Sequence, residues 1–282
     1  MATRSIANAG PSTTRPGSYG FSAASISAAS VGGDLDPVIN IDHFRMRMPT
    51  FPPHPHAGFS AVSYLFDDSE VEFENHDSLG HSLLAKPGAI IWSVAGRGMM
   101  HEEFPHVRGK LAHGLQVFVN LAAAAKLEPP RILFADGPAI PIVEHGGART
   151  RVVAGSVGDV RGAIEPPGDI TFLDIKLDPG ATFEQPVEAE RSALAYVIEG
   201  DLLGGAERRA LATLDAATFA PDGDRVVLRA GTRGARVVLI AGRPLREPVV
   251  SNGPFVMNDR EQIASAIERY RSGGMGRLES ST

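Results

Sequence analysis

Turn chemistry sets the first constraint on this chain. Its 282 residues include 31 glycines and 21 prolines, and its apolar residues come in short runs broken by Gly, Pro, Asp and Asn. Punctuation this dense is poorly suited to a helical bundle, because Gly and Pro end helices and start turns. The runs read instead as strands. Phe21–Ile26 and Val38–Ile41 come first. Ser60–Phe66 (SAVSYLF) alternates and leads into Asp67-Asp68-Ser69, a turn composition. Glu70–Phe73, Ser82–Ala85, Ala89–Val94 (AIIWSV) and Gly114–Leu121 (GLQVFVNL) follow, with Lys86-Pro87-Gly88 as a turn between two of them. Strands about ten residues apart with turn signals between them predict a sandwich or closed barrel.

The same grammar restarts after a proline-rich connector, Pro129–Pro141. Thr171–Leu177, Ala193–Glu199, Asp224–Arg229 and Ala235–Ala241 read as strands of a second barrel. Tyr196-Val197-Ile198-Glu199-Gly200 echoes Tyr64-Leu65-Phe66-Asp67-Asp68, a faint internal repeat. Asp259–Gly273 carries Ile263, Ile267 and Tyr270 at helical spacing, with Asp259 as N-cap and Gly273-Gly274 as the stop, and is the one clear helix. The expected organisation is a flexible leader (1–33), an N-terminal barrel (34–135), a C-terminal barrel (136–250), and a closing segment with helix and tail (251–282).

Composition removes several classes of function. The net charge of −6 disfavours a broad nucleic-acid footprint. There is no cysteine, so disulfides, zinc–thiolate sites and thiol nucleophiles are excluded. No stretch approaches the roughly 18–20 apolar residues of a membrane span. Residues 1–33 contain no Asp or Glu and are rich in Ser and Ala. An organellar transit peptide is one reading of that start; a leader on a cytoplasmic, monomeric protein is the other.

All nine histidines lie within the first 145 residues, so only the first barrel can hold a histidine metal site. His54-Pro55-His56 puts two imidazoles at i and i+2, which share one face of a strand. His101-Glu102-Glu103 does the same for an imidazole and a carboxylate. Two such strands facing each other would supply three His and one Glu, a donor set suited to Fe(II), Mn, Co, Ni, Cu or Zn with positions left open. Glu102 in place of Glu103 is the alternative, at the cost of a side chain turned off the face. His76, His81 and His106 sit in loop-like contexts, and His113 starts a strand. Trp92 and Phe59 either wall the pocket or pack in the core.

These residues carry a family resemblance. Phe51-Pro52-Pro53-His54-Pro55-His56-Ala57-Gly58-Phe59 resembles the F-P-P-H-P-H-R-G-F signature of the pirin family, in the cupin superfamily. Asp77-Ser78-Leu79-Gly80, the run from Pro87 through Trp92 to Glu103, His113–Leu121 (HGLQVFVNL) and Gly253–Asn258 (GPFVMN) resemble further family segments, in family order. The resemblance implies an all-β fold of two tandem cupin barrels (jelly-roll barrels) with a short C-terminal helix and metal only in the first. It implies His54, His56, His101 and Glu103 as ligands, with Fe(II) the usual metal. It also implies a quercetin 2,3-dioxygenase-like oxidoreductase, acting on a small aromatic substrate and O₂ with Glu103 as the base. The alternative is a redox-dependent regulator that binds a protein partner. The chain departs from the pattern at Ala57 (usually Arg), Ser60 (usually Glu), Asn75-His76 (usually His-Arg), His81 (usually Asn) and the hairpin 67–70. Several of these residues are expected at the pocket mouth.

Overall fold

In the computed structural model, residues 2–15, 17 and 20–281 are described. Two compact units emerge, and they interleave along the chain. One comprises residues 1–13, 24–40 and 139–244; the other comprises 14–23, 41–138 and 245–282. This differs from the linear division 34–135 and 136–250, because strand pairing ignores sequence order.

The unit built on residues 41–138 holds all the candidate ligands. A seven-stranded sheet runs Arg131–Ala135, Ile90–Val94, Phe59–Leu65, Ala112–Asn120, Val38–Met46, Phe21–Ser27 and Thr13–Arg15. A four-stranded sheet runs His54–His56, Met99–Pro105, Phe73–Asp77 and Ser82–Ala85. Phe44, Leu65 and Ile91 of the first sheet pack with Phe73 and Ala85 of the second, so the two close over a shared core. Phe59–Leu65 is buried at every position, which explains its apolar character on both faces.

Two local expectations shift. The expected connector Pro129–Pro141 contains the strand Arg131–Ala135, paired with Ile90–Val94. Its prolines flank the strand rather than interrupt it, so the ladder is free to form. The strand expected at Glu70–Phe73 runs instead over Phe73–Asp77. Glu70 is held in the preceding loop, where its N–H donates to the Leu111 carbonyl and its carboxylate accepts from the Leu111 N–H.

The other unit is one nine-stranded antiparallel sheet rolled around an apolar core that includes Val152, Leu173, Val197, Leu202, Leu228 and Val237. The runs expected at Asp224–Arg229 and Ala235–Ala241 fuse into one strand, Arg225–Gly242. Its first part pairs with Thr182–Pro186 and its last part with Ile170–Leu177. Ser192–Gly204 pairs along it, with register shifts either side of Gly200. Gly200 has φ +84, and a Cβ there would lie 2.2 Å from the Gly234 carbonyl oxygen, so only glycine fits the bend. A buried ion pair crosses this sheet: Arg236 meets Asp174 at 3.0 and 2.6 Å.

Residues 1–33 are not a loose leader, although Met1, Pro16, Ser18 and Tyr19 lie outside the described residues. Ile6–Pro11 pairs antiparallel with Asp215–Phe219. Arg4 is fully buried and donates to the carbonyls of Gly223, Arg191 and Glu188. Ala28–Val31 forms a short helix capped reciprocally by Ser27 and Ser30. The C-terminal helix spans Arg260–Arg271, with the Asp259 carboxylate accepting from the Gln262 N–H at 2.8 Å. Its Ile263 and Ala266 pack with Phe255, Met257, Met275 and Ala57, so this segment belongs to the histidine-bearing unit. Among the described residues, no helix is long and apolar enough to cross a membrane.

Candidate metal centre

The His-Pro-His strand lies antiparallel to Met99–Pro105, with Met99 opposite His56 and His101 directly opposite His54. Residues that face each other across a ladder project to the same side of the sheet. Three imidazoles therefore converge, with ligating nitrogens all within 4.8 Å of one another. Among the described residues this is the one such group of His, Asp or Glu. The Nε2 atoms of His54 and His101 are 3.2 Å apart. Two nitrogens about 2.0–2.1 Å from one ion, at tetrahedral or octahedral angles, are separated by about 2.9–3.4 Å. The spacing fits a shared divalent metal.

The protonation states fit as well. His54 Nδ1 donates to the Pro52 carbonyl at 2.9 Å, which leaves Nε2 with a free lone pair. Burial lowers the pKa of all three: that of His54 falls below its ordinary value, that of His56 to about 3, and that of His101 well below its ordinary value. The neighbouring imidazoles push His56 and His101 further down. Neutral imidazoles are the form that binds metal.

Glu103 stands outside the 4.8 Å group but on the wall of a cavity that His54 and His56 also line. Its Oε2 accepts from the Ser63 hydroxyl at 2.7 Å, while Oε1 is buried with no partner among the described residues. Burial raises its pKa to about 7, against the opposing pull of Ser63. A buried carboxylate oxygen with no donor is unusual and signals a missing ion or proton-bearing ligand. Gln116 is 3.1 Å from Ser63 on its other side. Gln116 lies within the motif run His113–Leu121, which does not mark it as a site residue; for Ser63 the sole clue is a hydroxyl on each face of an otherwise apolar strand, Ser60 and Ser63.

Glu102 faces the other way. It is fully buried, accepts from the Ser281 N–H at 2.9 Å, and lies 3.4 Å from His76 Nδ1. His76 and His106 both pair with Glu74, and His81 pairs with Asp77. His113 contacts His43 at 2.6 Å and Asp68 at 3.0 Å, on a separate cluster from the three ligands. Trp92 is a core residue, and Phe59 packs edge-on against His56 at 5.1 Å. Ala57, Ser60 and Asn75, expected near the mouth, are fully buried instead. Ala57 bridges to Phe255 and packs in the same apolar cluster.

The cavity measures about 270 Å³ and is largely apolar, walled by Phe44, Phe51, Phe73 and Phe118, with His54, His56, Glu103, Gln116 and Asp42 as its polar lining. A larger and more open hollow of about 590 Å³ lies in the other unit, walled by the turn-rich segment 155–170, far in sequence from every histidine ligand.

Behind the site, the Lys126 ammonium is buried and draws three acceptors together: the Gly58 carbonyl at 2.6 Å, Asn120 Oδ1 at 2.5 Å and the Val256 carbonyl at 3.2 Å. Burial lowers its pKa to about 8, with Glu247 pulling the other way. Gly58 directly follows the His-Pro-His strand and its neighbour Ala57. At φ +85, a Cβ on Gly58 would strike the Val256 carbonyl oxygen at 1.8 Å.

The chain is similar to known proteins over most of its length. The model of the family described as Pirin matches residues 30–119, and that of the Pirin C-terminal cupin domain matches 172–276. Human pirin is 36% identical over 246 residues, covering 86% of this chain and 84% of its own length. A crystal structure of a quercetin 2,3-dioxygenase from Acinetobacter baumannii superposes with a TM-score of 0.87 at 27% identity, covering 98% of this chain and 99% of that one. A bacterial pirin from Escherichia coli in complex with nickel(II), 16% identical, covers 86% of this chain and 98% of its own with a TM-score of 0.64, a likeness of fold.

Proposed function

The chain belongs to the pirin family of the cupin superfamily, and on that premise we propose that it is an iron(II)-dependent dioxygenase acting on flavonol-like aromatic substrates. One observation carries this reading. Three neutral imidazoles converge beside an aromatic cavity, and a buried carboxylate with a partnerless oxygen stands on the cavity wall. Iron(II), held by His54, His56, His101 and Glu103, would supply the redox chemistry and a common template for substrate and O₂. Other divalent metals of similar preference, nickel among them, suit the same donors.

The chain's own groups do the rest. The aromatic walls hold a planar substrate and exclude water. Glu103 Oε1, the carboxylate oxygen with no partner among the described residues, takes the proton of the substrate's enol hydroxyl. The Ser63 hydroxyl holds Oε2 in place during that transfer. His54, its tautomer set by Pro52, keeps a nitrogen lone pair aimed at the other two imidazoles.

The test is metal analysis followed by oxygen uptake and absorbance change with a flavonol, on iron-loaded protein. Stoichiometric oxygen consumption with loss of the flavonol band is the expected result. Iron-loaded protein that consumes no oxygen with any flavonol would replace this reading with the regulatory one.

A further inference from the structure

Two aromatic rings from distant parts of the sequence meet on the rim of the metal-side cavity. Phe51, three residues before His54, is 45% exposed. Phe21 opens the strand Phe21–Ser27. Their ring centroids are 5.1 Å apart with planes at 86°, an edge-to-face pair, and both line the cavity. Phe51 also lies 6.3 Å from the His54 ring, tilted by 60°.

The two are held differently. Phe21 is half-buried against the core that contains Phe44, Met46 and Phe73, and its strand is laddered to Val38–Met46. The Gly20 carbonyl just before it accepts from the Arg47 N–H at 2.8 Å. Phe51 lies between the strand that ends at Met46 and the one that begins at His54, outside any ladder. A fixed ring thus packs edge-to-face against a less restrained one at the cavity rim. Phe21 also precedes residue 30, where the match to the family model begins.

No lysine or arginine lines the cavity among the described residues. Beyond its metal-binding head group, a ligand is therefore recognised by shape and by ring contacts rather than by a cationic side chain. We propose that Phe21 and Phe51 are specificity-determining residues: an aromatic jaw that selects planar aromatic ligands over aliphatic ones carrying a comparable metal-binding head group. The proposal rests on the reading of this cavity as the substrate site. A flat ring laid against this contiguous Phe21–Phe51 surface makes stacked and edge-to-face contacts that a small aliphatic ligand cannot match.

The test uses two probes on cobalt(II)-loaded protein. 3-Hydroxyflavone, a planar aromatic chelator, is followed by its own fluorescence with and without metal. Acetohydroxamate, a small aliphatic chelator, is followed by the cobalt visible spectrum. Phe51→Ala and Phe21→Leu are compared with the wild type; the leucine keeps core bulk while removing the ring. Each variant is expected to bind 3-hydroxyflavone roughly three- to tenfold more weakly, with acetohydroxamate affinity unchanged. Unchanged 3-hydroxyflavone binding in both variants overturns the jaw. So does a parallel loss for both probes, which would report general damage to the site. A wild-type cobalt spectrum that fails to respond to acetohydroxamate defeats the metal-site reading separately, and the metal-free fluorescence titration still decides the jaw.

Discussion

At Glu103 the two carboxylate oxygens are unequal: Oε2 is held by Ser63 and Oε1 has no partner among the described residues. Glu103→Gln keeps an oxygen donor but removes charge and basicity. Turnover is expected to fall about 10²-fold or more, with weaker iron retention, read as iron content and oxygen uptake on the same samples. Full turnover with iron retained would remove the base role. The neighbouring Glu102 is not the silent residue its outward direction suggests. It is buried and bonded to the Ser281 N–H, so Glu102→Gln should leave iron content intact and lower stability by about 1 kcal/mol in urea unfolding. The imidazoles set the pH dependence. Folding holds His56 at about 3 and His101 well below 6.5. The unfolded chain therefore binds protons that the folded chain does not, once the pH falls below about 6.5, and stability is lost from there downward. Glu103 has the opposite sign: its folded pKa is raised from 4.5 to about 7, so its contribution is complete below 4.5 and is lost as pH rises toward 7. Two imidazoles outweigh one carboxylate between about pH 6.5 and 5. The urea midpoint of the metal-free protein should fall across that range, and more steeply than in His101→Gln. Equal slopes would show that the buried imidazoles are not the titrating groups.

At the scale of elements, the metal-bearing strand is only three residues long and cannot hold itself in place. It is fixed on one edge by Met99–Pro105, through the pairs Met99–His56 and His101–His54. Its exit is fixed by Gly58, whose carbonyl accepts from Lys126 and whose N–H donates to the Gly96 carbonyl. Lys126→Met keeps the apolar stem and strands three acceptors. It should cost on the order of 3 kcal/mol in chemical denaturation and loosen metal retention in equilibrium dialysis, because the turn after His56 loses its anchor. Unaltered retention would show that the Met99–Pro105 ladder alone positions the histidines. The C-terminal helix contributes from the far side, packing Ile263 and Ala266 with Ala57, the residue after His56. Its cap is the Asp259 carboxylate, and Asp259→Ala should cost about 1 kcal/mol by thermal unfolding.

At the scale of the whole molecule, the chain crosses between its two units several times, and its first residues are structural. Deleting residues 2–11 removes the strand Ile6–Pro11 and the buried Arg4. The nine-stranded unit should then unfold at lower denaturant, with iron content unchanged because every ligand lies in the other unit. A deletion variant as stable as the full chain would restore the view of this segment as a leader. The sequence alone determined the local parts. Turn residues and alternation located most strands. Helical spacing and an N-capping aspartate, Asp259, located the C-terminal helix. The i, i+2 spacing of His54 with His56, and of His101 with Glu103, assigned each pair to one strand face. These are properties of a few adjacent residues, and the chain's own periodicity records them. Only the tertiary structure decided which faces meet. That His101 lies opposite His54, that Ile6 lies opposite Phe219, that Phe21 reaches Phe51, and that Ala57 and Ser60 are buried all depend on pairing between residues far apart in sequence. A strand's alternation records which side chains share a face, but its backbone hydrogen bonds are chemically the same for every partner. The choice of partner is made by packing over the whole sheet.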